Sequence, residues 1–364
     1  MPPLVVAWGA GGGGQAHGDP VRSRLVLAME APPPAAQGAS EAKEAKEAEA
    51  RGQGRDKTPL VCHGHSRPIV GINYSPITED GSFIVSASKD GKPMLRNGDT
   101  GDWVGTFEGH KGAVWDTCLN RPATRALTGS ADFTACVWDA LTGDAIHSFQ
   151  HKHIVRTVAF APDGTKALTG GYEKLLRVYD LEKPDADPTL CPGPANDIAW
   201  PAPIRNATWV SRNGDGSANG DLVYVALSDT PGVSVVDLRA GDIAFTLATD
   251  APVTSIEAGW DGKSVTTADG QTVRVWDLAL GDGARATFKL PYPVESASLH
   301  PAGKVVACGG EDMWGHVLNI ESGEPVELEC HRGHHGPVHC VRFAPDGLSY
   351  ATGSEDGTIR IWSV

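Results

Sequence analysis

Short segments in which β-branched or aromatic residues alternate with polar ones recur along most of the chain. Thr358-Ile-Arg-Ile-Trp362, Thr272-Val-Arg-Val-Trp276 and Leu176-Arg-Val-Tyr179 each carry a period of two, the spacing of a strand with distinct faces. Val223-Tyr-Val-Ala-Leu227 and Val233-Ser-Val-Val236 also read as strands. Asp163-Gly164, Asp261-Gly262 and Asp346-Gly347 punctuate such segments, and Asp-Gly is a favoured two-residue hairpin turn. The pattern predicts an all-β protein of short antiparallel strands. A longer period lies on top of it. Gly109-His110, Asp132 and Trp138-Asp139 return as Gly333-His334, Asp356 and Trp362-Ser363, with 22 residues from His to Asp in both copies and six more to the Trp.

Alignment on the Trp-Asp position gives Arg96-Asn97, Trp138-Asp139, Tyr179-Asp180, Val236-Asp237, Trp276-Asp277, Leu318-Asn319 and Trp362-Ser363, at spacings of 42, 41, 57, 40, 42 and 44 residues. A period of about 40–45 residues with Gly-His and Trp-Asp dipeptides is the mark of four-stranded WD40 blades. The prediction is therefore a seven-bladed WD40 β-propeller over residues 58–364. Its last blade has three strands before Val364, and a bare edge is a liability for a sheet. Pro59-Leu-Val-Cys62 is the remaining strand-like segment, and it is expected to complete that blade and close the ring. Blade four, about 187–240, lacks a recognisable Trp-Asp repeat, runs about 15 residues long by the 57-residue spacing, and carries the loop-like Asn213-Gly-Asp-Gly-Ser-Ala-Asn-Gly220. It is expected to be a degenerate blade with an inserted loop.

Residues 1–57 differ in character, with Gly11–Gly14, Pro32–Pro34 and the Glu/Lys/Ala run 41–49. Nine residues are marginal for an isolated helix, so a disordered tail is expected. A transit-peptide reading of the first 28 residues is weak because Ser23 is their one serine, and Met29 is an alternative start. Seven basic and seven acidic residues cancel within 1–57, so the net charge of −14 belongs to the propeller. An acidic domain repels phosphate backbones at long range, which disfavours direct nucleic-acid binding. The seven cysteines show no C-x-x-C pair. An odd, scattered count without a signal peptide fits reduced thiols in a cytoplasmic protein, with the nucleus as a second place. No apolar run approaches the ~18 residues that span a bilayer.

The chemistry-bearing candidates resolve mostly into structure. His110, Asp132 and Trp138, with Thr128 or Ser130 on the second strand, are expected to form a hydrogen-bonded network that ties the inner strands of a blade together. His334, Asp356 and Trp362 are expected to repeat it, and Trp276 to serve the fifth blade. Gly259-Trp-Asp-Gly-Lys-Ser264 looks like a phosphate loop, but Glu257 stands where its first glycine is required, leaving an Asp-Gly turn. Cys330, His331, His334, His335, His339 and Cys340 are the densest cluster of soft ligands, without the paired short knuckles usual for zinc. No nucleophile elbow or cofactor fingerprint is present. The expectation is a protein that is not an enzyme and has no metal or cofactor.

Several phrases are more specific than generic repeats. Lys89-Asp-Gly-Lys-Pro-Met-Leu-Arg-Asn-Gly-Asp-Thr-Gly-Asp-Trp103 is an unusual first-blade ending, with Arg96 where a Trp is expected. Gly109-His-Lys-Gly-Ala-Val-Trp115, His151-Lys-His-Ile-Val155, Lys174-Leu-Leu-Arg-Val-Tyr-Asp180, Gly309-Gly-Glu-Asp-Met-Trp314 and Gly333-His-His-Gly-Pro-Val-His-Cys340 follow. Over about 58–186 and 250–364 the chain resembles the serine/threonine-kinase receptor-associated (unr-interacting) family of WD40-repeat proteins. The resemblance implies a scaffold in the survival-of-motor-neuron complex, which loads Sm proteins onto spliceosomal small nuclear RNAs. It further implies contact with an RNA-binding protein of the cold-shock type and, in animals, with receptor kinases. RNA would be met only indirectly, no membrane is involved, and the propeller is expected to be monomeric. Arg96 and Trp103 are the candidate partner surface, a salt bridge within the blade being the alternative for Arg96. Two other adaptor readings stay open: a cullin-ligase substrate receptor, suggested by Val236-Asp-Leu-Arg239 without its Trp, and the WD40 subunit of translation initiation factor three.

Overall fold

A computed structural model describes residues 58–364 apart from 195–196, 211–221, 278–280, 282 and 322–323. The tail reading of 1–57 and the inserted loop of blade four therefore lie outside the described residues. Every named element is a strand, and no described helix is long and apolar enough to cross a membrane. The strands form five antiparallel sheets of four and one of seven. In the seven-stranded sheet the long strand Asp242–Ala258 pairs through its first part with Pro231–Asp237 and through its second with Ser264–Asp269. It is thus the outer strand of one blade and the inner strand of the next.

The inner strands touch in a closed cycle. Ile69–Tyr74 contacts Val114–Leu119, then Val155–Phe160, Ile204–Val210, Asp242–Ala258, Ser296–Leu299 and Val338–Phe343, which returns to Ile69–Tyr74. This cycle gives seven blades around an axis, each ending its third strand at the position aligned in the sequence, from Met94–Asn97 to Ile359–Ser363. The ring closes where the strand count predicted: Leu60–Cys62 pairs antiparallel with Ile359–Ser363, Leu60 opposite Ile361 and Cys62 opposite Ile359.

Apolar clusters fill the space between neighbouring blades. Val85, Leu95, Phe107, Ala126 and Trp138 join blades one and two, and Leu127, Val137, Phe149, Val155 and Tyr179 join two and three. Both faces of each sheet are covered in this way, so second strands such as Leu222–Leu227 are buried at every position. Such strands read as apolar runs and lose the alternation of a half-exposed strand. Burying each large apolar side chain contributes about 1.5–3 kcal/mol, and the described residues form one such cluster at each of the seven interfaces.

One irregularity recurs in register. In six of the seven inner strands the pairing slips just after the first residue, as between Ile69 and Gly71 or between Val338 and Cys340. A bulge re-aims the extra side chain away from the sheet. The residues so placed are Val70, Trp115, Arg156, Arg205, Thr254 and His339, and all six line one cavity at the mouth of the channel.

Candidate functional site: the blade networks and the channel mouth

In blade two, His110 Nδ1 lies 2.8 Å from Asp132 Oδ2, and its Nε2 lies 2.7 Å from Thr128 Oγ1. Trp138 Nε1–H donates to the same hydroxyl at 2.8 Å. Of the two hydroxyls considered, Thr128 is the network member; Ser130 instead donates to the Gly112 carbonyl. Blade seven repeats the geometry, His334 bridging Asp356 at 2.9 Å and Thr352 at 2.7 Å while Trp362 donates to Thr352 at 2.9 Å. Trp276 donates to Thr267, and Arg274, two residues before it, pairs with Asp269 and Asp250. Blade one holds a further copy not singled out from sequence, His65 between Asp90 and Ser86. The signal was present in Gly64-His65, although the acid follows 25 residues later.

Identical geometry does not give identical titration. Burial alone lowers His110, but the hydrogen bonds to Asp132 and Cys136 outweigh it and push the imidazole up to about 9. At His334 burial wins: Asp356 opposes it, but Arg360 and His335 add positive charge, and the net shift is downward. The difference sits two residues before each Trp, where blade two has Cys136 and blade seven Arg360.

Arg96 corrects both readings made of it. It is 4% exposed, so it is not a partner surface, and among the described residues no carboxylate pairs with it. Its guanidinium donates to the backbone carbonyls of Gly101, at 3.0 Å, and of His63, next to the closing strand. A charged donor with several N–H groups satisfies carbonyls that an indole, with one N–H, would leave bare. Trp103 sits opposite it in register yet is 60% exposed, its Nε1–H donating to Thr106. Only Trp103 of that pair is at the surface.

The soft-ligand cluster is also dispersed. His331 stacks on Trp362 at 4.8 Å and bonds Tyr350 and Glu329, His334 belongs to its network, and His339 meets Glu355 at 2.6 Å. Among the described residues a different trio, His316, Glu327 and Cys330, comes close enough to surround an ion. Both imidazole nitrogens of His316 already face carboxylates, Asp312 and Glu327.

The channel mouth was not legible as a site in the sequence, because its ring of side chains exists only once six bulges converge on one axis. Arg156 lies 4.0 Å over the Trp115 ring and Lys89 5.9 Å over it. Arg205 pairs with Glu295, and Glu355 meets both His339 and Lys89. Deeper in the bore, Asp116 accepts from Val158 N–H and Thr157 Oγ1–H, joining blades two and three. Glu257 faces Arg342 at 3.6 Å, and burial, only partly opposed by Arg342, lifts its carboxyl to about 7. The arrangement gathers charged and aromatic side chains from several blades around one cavity.

A closed ring of four-stranded blades, tied by His–Asp–Thr–Trp networks, defines a WD40-repeat protein. The WD domain, G-beta repeat, family matches residues 101–139, 143–180 and 326–363. A serine-threonine kinase receptor-associated protein from Bos taurus is 45% identical over 306 residues, 84% of this chain and 82% of its own length. One from Dictyostelium discoideum is 45% identical over 307 residues, 99% of its length. Subunit I of eukaryotic translation initiation factor 3 from Drosophila sechellia is 29% identical over 327 residues, 83% of this chain and 95% of its own. The chain belongs to the serine-threonine kinase receptor-associated family of WD40-repeat proteins.

Proposed function

We propose that the chain is a non-catalytic adaptor of the survival-of-motor-neuron complex, acting in the cytoplasm and secondarily in the nucleus, where it helps load Sm proteins onto spliceosomal small nuclear RNAs. The observation that carries this is identity of about 45% to proteins named for association with a serine-threonine kinase receptor, over a stretch long enough for the whole ring. The channel mouth adds a surface suited to protein partners: Trp115 under Arg156, with the Arg205–Glu295 and His339–Glu355 pairs around it. Contact with receptor kinases and with a cold-shock RNA-binding protein belongs to the same reading.

The competing reading is a translation-initiation subunit, favoured by the 29% identity over nearly the whole length of subunit I. Affinity capture of the tagged full-length chain from cytoplasmic extract, read by mass spectrometry, separates the two. Sm proteins and survival-of-motor-neuron components are expected in the eluate. Initiation-factor subunits, or a cullin adaptor, recovered without Sm proteins would overturn the assembly reading.

A further inference from the structure

Six blades turn between their second and third strands through an acid followed by a residue in the left-handed region. In blades one, five and seven that residue is glycine: Gly91, Gly270 and Gly357, at φ 80°, 61° and 77°. In blades two, three and six it is Phe133, Lys174 and Met313, at φ 70°, 61° and 68°. L side chains are strained there, and glycine is not. Phe133 is nevertheless 43% exposed, so core packing does not account for a ring at that place.

Phe133 begins a row of rings. His153 lies 5.6 Å from it, and Tyr172 stacks on His153 at 5.4 Å. His153 is exposed, and Tyr172 is 47% exposed. The Ile154 N–H donates to His153 Nδ1, which in the neutral ring leaves the hydrogen on Nε2. Lys111 and Lys152 flank the row, their backbone N–H groups donating to Asp132 and Glu173. Those two acids are consumed locally, Asp132 by His110 and Thr134, and Glu173 by both Nη atoms of Arg177. The lysines that form ion pairs among the described residues are Lys89, Lys92 and Lys304, which leaves the ammonium groups of Lys111 and Lys152 for a ligand. On a chain of net charge −14 this is a local reversal of sign, joined to a strip of aromatic surface.

We propose that Phe133, His153 and Tyr172, with Lys111 and Lys152, form a docking site for an acidic segment of a partner protein carrying an aromatic or large apolar anchor. The rings take the anchor and the two lysines take the carboxylates. The inference is independent of which assembly the protein serves.

The test uses the full-length chain and a fluorescein-labelled Glu/Asp-rich peptide with one central Trp, followed by fluorescence anisotropy beside thermal melting. Wild type is expected to bind in a salt-sensitive manner. Phe133→Gly should weaken binding about tenfold while leaving the melting temperature unchanged or higher, because the strained residue has been replaced by the one its sister turns use. Lys152→Glu should weaken binding to a similar degree without changing the melt. The proposal fails if wild type does not bind, if Phe133→Gly binds as wild type, or if that variant melts clearly lower, which would make Phe133 a structural residue. Equal binding of a Lys-rich counterpart, or preferential binding of oligouridylate at the same residues, would also overturn it.

Discussion

Trp138 and Arg96 occupy the same register position in consecutive blades and meet different demands. Trp138 is 1% exposed and fills the gap between blades one and two beside Phe107, 5.6 Å away. Trp138→Ala is expected to cost about 3–5 kcal/mol in chemical denaturation, since it removes both the ring and the donor to Thr128. Arg96 adds little apolar packing but holds two carbonyls, so Arg96→Met should cost about 2–4 kcal/mol as a charged donor lost from buried acceptors. Partner capture per folded molecule should be unaffected by that change. The networks also set the response to acid. Burial acts to raise Asp90, but hydrogen bonds from His65 and from the Lys92 and Ser66 N–H groups hold it at about 2, and the same balance holds Asp132 and Asp356 lower still. Such carboxylates bind fewer protons folded than unfolded, so their stabilisation is complete above the ordinary carboxylate range and is lost as pH falls. The melting temperature should decline from about pH 4 towards pH 2, with a shallower decline in Asp132→Asn. His110 has the opposite sign: its contribution is full below 6.5 and lost as pH rises through about 9.

Among the elements, the closing strand Leu60–Cys62 decides whether the ring has an edge. It contributes three paired residues, a buried Cys62, and through His63 an acceptor for Arg96. Gly101, at φ 71°, has no side chain where Cys62 Sγ approaches to 2.6 Å of the ideal Cβ position, so the strand can lie against the first blade. Removal of residues 1–56 should leave the melting temperature unchanged. Removal through His63 should lower it and produce concentration-dependent association in sedimentation, because blade seven then exposes Ile359–Ser363 as an edge. The repeat segment 101–139 explains the arrangement. It begins with the outer strand of blade one, Trp103–Thr106, and ends with the third strand of blade two. Repeats offset by one strand from the blades leave the first and last units incomplete, and their joining closes the circle.

For the whole molecule, closure hides reactive groups that the sequence scatters. All seven cysteines are free thiols, and only Cys118 and Cys330 are not fully buried. Burial drives the Cys118 thiol far upward, leaving Cys330 as the other thiol that is not buried. A thiol reagent is therefore expected to react quickly with one cysteine in the native protein and with all seven after denaturation. Fast reaction of several would mean that the ring opens on the timescale of the assay. Channel and rim likewise exist only at this scale, since Trp115, Arg156, Arg205 and His339 come from four blades.

Much of this was legible in the chain because propeller blades are local. The Gly-His to Asp interval of 22 residues fixes the network in blades two and seven, and the Trp-Asp register locates every third strand, even where Arg96, Val236 or Leu318 stands in for the Trp. Period and turn chemistry act between residues close in sequence, so they survive as pattern. The closing strand was legible too, by counting strands against the need for a paired edge. What a side chain faces after assembly was not. Arg96 read as surface or ion pair until the approach of His63, 33 residues away, supplied a carbonyl. The soft-ligand cluster read as one group until the strands Val326–Arg332 and Val338–Phe343 proved to belong to different sheets. The ring of bulged residues depends on seven strands meeting at one axis, a relation carried by long-range packing and absent from any single repeat.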